Sequence, residues 1–169
     1  MNFSDQSRIW IYLSNRAFTD DEVSQLNQLL QQFCIQWTAH GSNLKAHGEV
    51  QHFRFIVLMV DETAAGASGC SIDKSVHFIQ QIEKEFNVQL FNRMLFGWRA
   101  GEEIQVSNLN DLQKLFDEGN INSDTVVFDT VIETKKDFDE RFQTTLGKSW
   151  MMKRIVSSKK IFSEKEQIV

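Results

Sequence analysis

Apolar and polar residues alternate at the start of the chain. In RIWIYLS (8–14), Ile9, Ile11 and Leu13 fall on one side and Arg8, Trp10 and Tyr12 on the other, the period-two signature of a strand. The period then changes. Thr19 with Glu22 three residues on is a capping box, and Val23, Leu26, Leu30, Phe33, Cys34 and Trp37 recur at helical spacing opposite a glutamine-rich face. His40 and Gly41 close this helix. Two tightly joined strands follow, 44–51 and 53–60, and the second, FRFIVLMV, is so nearly continuous in apolar residues that it reads as central. A long loop, DETAAGASG (61–69), leads into a helix over 71–86 with Ile72, Val76, Ile79, Ile82 and Phe86 along its buried stripe. Residues 88–99 form a fourth strand, and Ala100 and Gly101 turn the chain into a short fifth, EIQVS (103–107).

The order β-α-β-β-α-β predicts an α+β fold of the ferredoxin-like split βαβ type, with an antiparallel or mixed sheet. Its first and third strands are expected side by side and parallel at the centre. An αβα appendix follows: a helix near 108–118 closed by Gly119, a strand at 125–128 and a helix after Thr134. The expected organisation is thus a core over 1–107 with an added hairpin strand, an appendix over 108–154 packed on the same domain, and a basic tail over 155–169. Trp10, Tyr12, Ile56, Leu58, Phe91 and Leu95 point to the sheet face that the two helices leave uncovered. Either the appendix or a second subunit, making a homodimer, must cover that surface.

Composition narrows the function classes. The chain has 169 residues, 41% hydrophobic and 24% charged, the range of folded globular proteins. Its longest apolar run, Phe55 to Val60, is far short of the roughly 20 residues that cross a bilayer, and the first 30 residues lack a signal-peptide stretch. No membrane partner is expected. Two cysteines, Cys34 and Cys70, make neither a disulfide framework nor a four-ligand zinc site, so a reducing, cytoplasmic setting is expected. No proline is present, which removes cis-proline turns and proline-rich linkers. The 14 phenylalanines and four tryptophans, against one tyrosine, suit a core better than base stacking. The net charge of −5 is uneven: residues 148–169 carry six basic and two acidic side chains, leaving −9 on residues 1–147. Such a body repels phosphate backbones, so no nucleic-acid partner is expected.

Candidate chemistry gathers at two loops. If the first and third strands are parallel, SNRAFT (14–19) and DETAAGASGCS (61–71) end at one rim, each at a helix N-terminus with unpaired N–H groups. Ser14, Asn15, Arg16, Asp61, Glu62, Ser68, Gly69, Cys70, Ser71 and Asp73 are the candidate contacts for an anionic or polar small molecule. The competing reading is that Gly66 and Gly69 shape a turn and that Ser68 or Ser71 caps the helix. Cys70, in the first helical turn, is the candidate nucleophile of a thiol enzyme. Its partner base is missing: His77, seven residues on at 1.5 Å rise, lies about 10 Å along the axis. No paired-Cys or His-x-x-x-His spacing marks a metal site, and no cofactor motif is present. Lys74-Ser75 aligned to G-x-x-x-x-G-K-[ST] puts Ser68 and Asp73 in the glycine slots, which excludes a Walker loop.

The segments WTAHG (37–41), LMVDE (58–62), AGASGCSIDKSVHFI (65–79) and LFNRM (90–94) resemble a family of short uncharacterised bacterial proteins often labelled "ABC transporter ATPase". The resemblance runs from about residue 8 to 152. It transfers no catalytic role, and the label lacks its Walker loop here; what it implies is attention to the loop from Asp61 to Asp73. Three functions compete: a small-molecule-binding domain using that loop, a structural or partner-binding domain using its sheet face, and a thiol enzyme acting through Cys70.

Overall fold

The computed structural model describes residues 3–63 and 66–155. Its elements are β1 (Arg8–Leu13), α1 (Asp20–Gln36), β2 (Thr38–Ala39), β3 (Ser42–Asn43), β4 (Lys45–Gln51), β5 (Phe55–Asp61), α2 (Gly69–Phe86), β6 (Leu95–Ala100), β7 (Glu103–Asn108), α3 (Leu112–Asp117), β8 (Val126–Phe128), α4 (Lys135–Arg141) and β9 (Gln143–Thr145). Helices and antiparallel sheets together make the fold α+β, as the pattern predicts.

The capping box forms in both directions. The Thr19 hydroxyl accepts the Glu22 N–H at 3.2 Å, and the Glu22 carboxylate accepts the Thr19 N–H at 2.9 Å. Helix α1 then buries Leu26, Leu30 and Cys34. Helix α2 starts earlier than the apolar stripe suggests and buries Ser71, Ser75, Ile79, Ile82 and Phe86, while Ile72 and Val76 turn to its flank. The cause is close packing at its N-terminal half. The Trp37 indole N–H donates to the Ser71 carbonyl at 2.8 Å, and the Ser71 and Ser75 hydroxyls donate to the carbonyls of Ser68 and Ile72. Small, internally satisfied side chains are admitted there.

Strands β1, β5 and β4 form one sheet in that order. The expected parallel pairing of the first and third strands does not occur. Arg8 stands opposite Val60 and Leu13 opposite Phe55, an antiparallel register. The tight turn from Gln51 to Arg54 reverses the chain between β4 and β5, so β1 and β4 run alike on either side of β5, with α1 crossing between them. The strand after α2 begins only at Leu95 and enters a second sheet, ordered β7-β6-β8-β9. The four-stranded ferredoxin-like sheet is therefore not completed among the described residues.

The second sheet draws its strands from 95–108 and from 126–145, on both sides of residue 108. The two sheets face each other across Ile9, Leu13, Phe55, Val57 and Met59 on one side and Phe128, Ile132 and Phe142 on the other. Trp10, Tyr12, Ile56 and Leu58 lie instead against α1 and α2. Alternation gives two apolar faces on β1 and β5 but does not say which face receives the helices. Phe96 and Val127 pack with Leu112, Ile121 and Leu146 on the far side of the second sheet. The basic tail, beyond Ile155, lies outside the described residues. Among the described residues no helix is long and apolar enough to cross a membrane.

Candidate functional site

The antiparallel register sends the two expected loops to opposite ends of the first sheet, about 20 Å apart at the rise of a six-residue strand. They form no common rim. At one end, the Ser14 N–H donates to the Arg54 carbonyl at 2.8 Å, and the Asn15 side chain accepts the Gln89 N–H at 2.8 Å. Arg16 makes two bonds to Glu22, at 2.8 and 2.7 Å, and a third to the Phe86 carbonyl at 2.6 Å, tying the start of α1 to the end of α2. Glu22 is held down at about 2 by the Arg16 guanidinium and then by the Thr19 N–H. Arg16 is thus engaged within the fold.

At the other end, Asp61 is buried and accepts from Lys45 Nζ at 2.7 Å, from the Thr63 hydroxyl and N–H, and from the Ser4 N–H. These donors, Lys45 foremost, hold its carboxyl well below the usual carboxylate range. Because the folded pKa is depressed, the contribution of ionised Asp61 is present above its unfolded value, about 4, and is lost as the pH falls below it. Asp61→Asn is therefore expected to lower the thermal midpoint at pH 7, with the gap to wild type narrowing steadily below about pH 4. A gap independent of pH would remove the ion pair from the account.

The rest of this loop binds itself. Glu62 accepts the Ala67 N–H at 2.9 Å, and the Ser68 hydroxyl caps α2 by accepting the Ser71 N–H at 3.3 Å. Gly69 has open space where a side chain would begin, and Asp73 is exposed. Cys70 is exposed, and its sulfur makes no hydrogen bond or ion pair among the described residues. Cys34 is buried against the core, and burial pushes its thiol up to about 12. No group of three or more His, Cys, Asp or Glu among the described residues is placed to hold a metal ion.

A site that the sequence did not announce lies along β1. One edge of this strand pairs with β5; beside the other runs a groove of about 460 Å³. Such a volume lies within the range of ligand sites. Its walls are Ile72, Val76, Leu90 and Phe91 on one side and Thr130 to Glu133 on the other, with Trp150 and Met151 at its margin. Among the described residues, Phe91 and Val131 are large apolar side chains left open to solvent, at 37% and 62% exposure. Tyr12 meets Phe91 edge to face at 5.4 Å, and burial raises its hydroxyl to about 12 against the opposing charge of Arg93. The Arg8 guanidinium lies over the Trp10 ring at 4.9 Å.

All six residues of β1, Arg8 to Leu13, line the groove. The Ile9 N–H donates to the Glu133 carbonyl at 2.9 Å and the Ser14 N–H to Arg54 on the β5 side, so strand alternation turns the odd-numbered peptide groups of β1 into the groove. Past Ile9, the N–H groups of Ile11 and Leu13 make no hydrogen bond among the described residues. The signal available in the sequence was the shared apolar surface assigned to Trp10, Tyr12, Phe91 and Leu95, all of which line this groove. Comparison with family models, with curated proteins and with solved structures finds no match.

Proposed function

We propose that the protein is a binding module that takes an elongated, largely apolar ligand in the groove along β1. One observation carries this reading: exposed apolar side chains and unpaired peptide groups line the same concavity. Exposed large apolar residues otherwise favour burial, and unpaired peptide groups favour a partner. This develops the partner-binding reading of the sheet, moved from its face to its edge. The two free cysteines, one of them exposed, support work in a reducing compartment.

Anilinonaphthalene sulfonate, which has fused apolar rings and one anionic group, is the test probe. Wild type is expected to bind it at one site with quenching of tryptophan emission, since Trp10 and Trp150 line the groove. Val131→Trp, which obstructs the groove, and Phe91→Ser, which strips one wall, are each expected to weaken binding about tenfold, the equivalent of about 1.4 kcal/mol. Ile35→Ser removes a side chain 67% exposed on α1 and outside the groove, and is expected to leave binding unchanged. Binding insensitive to both groove variants, or equally reduced by Ile35→Ser, would overturn the proposal.

A further inference from the structure

We infer that the occupant of the groove is an extended polypeptide segment that adds to β1 as a further strand of the first sheet. This rests on the groove reading above and specifies its ligand. The first support is that this edge already pairs with an extended segment. Arg8 and Thr134 form an antiparallel bridge, flanked by the Ile9 N–H donating to Glu133 and the Lys135 N–H donating to Ser7, both at 2.9 Å. The start of this edge thus already takes part in strand pairing.

The second support is that the chain's own segment cannot extend that pairing. Asp129 donates its N–H to the Phe142 carbonyl, and the Val131 N–H turns back to the Asp129 carboxylate at 3.1 Å. Phe128 and Ile132 are buried between the sheets. Residues 128–132 are therefore committed elsewhere, and Ile11 and Leu13 are left facing the groove.

The spacing selects the chemistry. Equivalent peptide groups on one edge recur every two residues, about 7 Å along a strand. A polypeptide supplies acceptors and donors at that repeat by its own geometry, and its side chains alternate between two sides. One row would meet Trp10, Tyr12, Ile72 and Val76; the other would meet the second sheet near Leu95 and Phe128. From Ile9 to Leu13 the edge takes about four residues of added strand. Arg8 and Arg93 against Glu133 give the groove a positive balance on an otherwise acidic body, which favours a segment with acidic flanks.

The experiment uses the whole chain. In the free protein, amide hydrogen exchange at Ile11 and Leu13 is expected to be at least about a hundredfold faster than at Trp10 and Tyr12, which bond to β5. Peptides selected from a displayed random octapeptide library are expected to displace anilinonaphthalene sulfonate and to slow exchange at Ile11 and Leu13. N-methylation of one alternate set of peptide amides is expected to weaken binding at least tenfold, and of the other set to leave it unchanged. Strong protection of Ile11 and Leu13 in the free protein overturns the inference, as does a library with no competing peptide. Competing peptides indifferent to N-methylation overturn it too. Protection that rises with protein concentration alone assigns the edge to a second copy of this chain and likewise overturns it. In each of these cases a dye response that follows the groove variants leaves the groove reading standing, whereas loss of that response removes the reading itself.

Discussion

Phe55→Ala is expected to destabilise the protein by about 3–5 kcal/mol, the cost of truncating a fully buried aromatic side chain. Phe55 is wholly excluded from solvent on the central strand, at the contact between the two sheets. Its ring lies 4.8 Å from Phe128 and 5.2 Å from Phe142, centroid to centroid. Opposite it, Gly97 leaves the room the ring needs: a Cβ there would sit 3.1 Å from Phe55 Cζ. Neither sheet can fold inward to fill the space, because each is held by its own ladder, so a large cavity term remains. The same geometry predicts coupling. Gly97→Ala alone is expected to destabilise, and in a Phe55→Ala background its cost is expected to shrink or reverse. Urea denaturation of the four proteins gives the cycle, with the midpoint shifting at unchanged slope. Strict additivity would show that the ring and the glycine do not share this space.

Gly48→Val is expected to cost about 1–3 kcal/mol through overpacking. Gly48 lies within β4, where a side chain would ordinarily be welcome. Here a Cβ would stand 3.0 Å from Leu58 Cδ2, 3.2 Å from Leu30 Cβ and 3.3 Å from Cys34 Sγ. The leucine tip can rotate away. The Cβ of Leu30 is fixed to the backbone of α1, so the helix must lift. The lift has its own readout, because Cys34 sits on the buried face of α1. In a Cys70→Ser background, alkylation of Cys34 is expected to be slow in the parent and clearly faster once Gly48→Val is added. Unchanged reactivity with unchanged stability would mean that β4 and α1 are less tightly apposed than their spacing implies.

The legible parts of this fold are those written in side chains. The alternation in 8–14, the capping box of Thr19 and Glu22, and the apolar run of β5 each report local geometry or burial, and each has its expected counterpart. Partnership between strands is written in the main chain, which is the same for every residue. Whether β1 runs with or against β5, and whether residues 88–99 join the first sheet or found a second, leaves little trace in composition. The expected common rim failed for that reason. Each loop lies where its sequence suggests, but their meeting depended on a strand direction. Ser71 and Ser75 on the buried face of α2 were illegible for a different reason: a hydroxyl satisfied by its own helix behaves in the core like a small apolar group, yet reads in sequence as polar.

The two neighbours of β5 reach it from very different distances along the chain. β4 arrives through a tight turn, whereas β1 must close a loop of roughly forty residues containing α1. Loop-closure entropy therefore favours the β4–β5 hairpin early and places β1 among the later arrivals. The strand that lines the groove is thus the one whose seating depends most on distant contacts. A ligand held there would stabilise the native state by RT ln(1 + [L]/Kd), so resistance to unfolding goes on rising with ligand concentration even after the groove is nearly full.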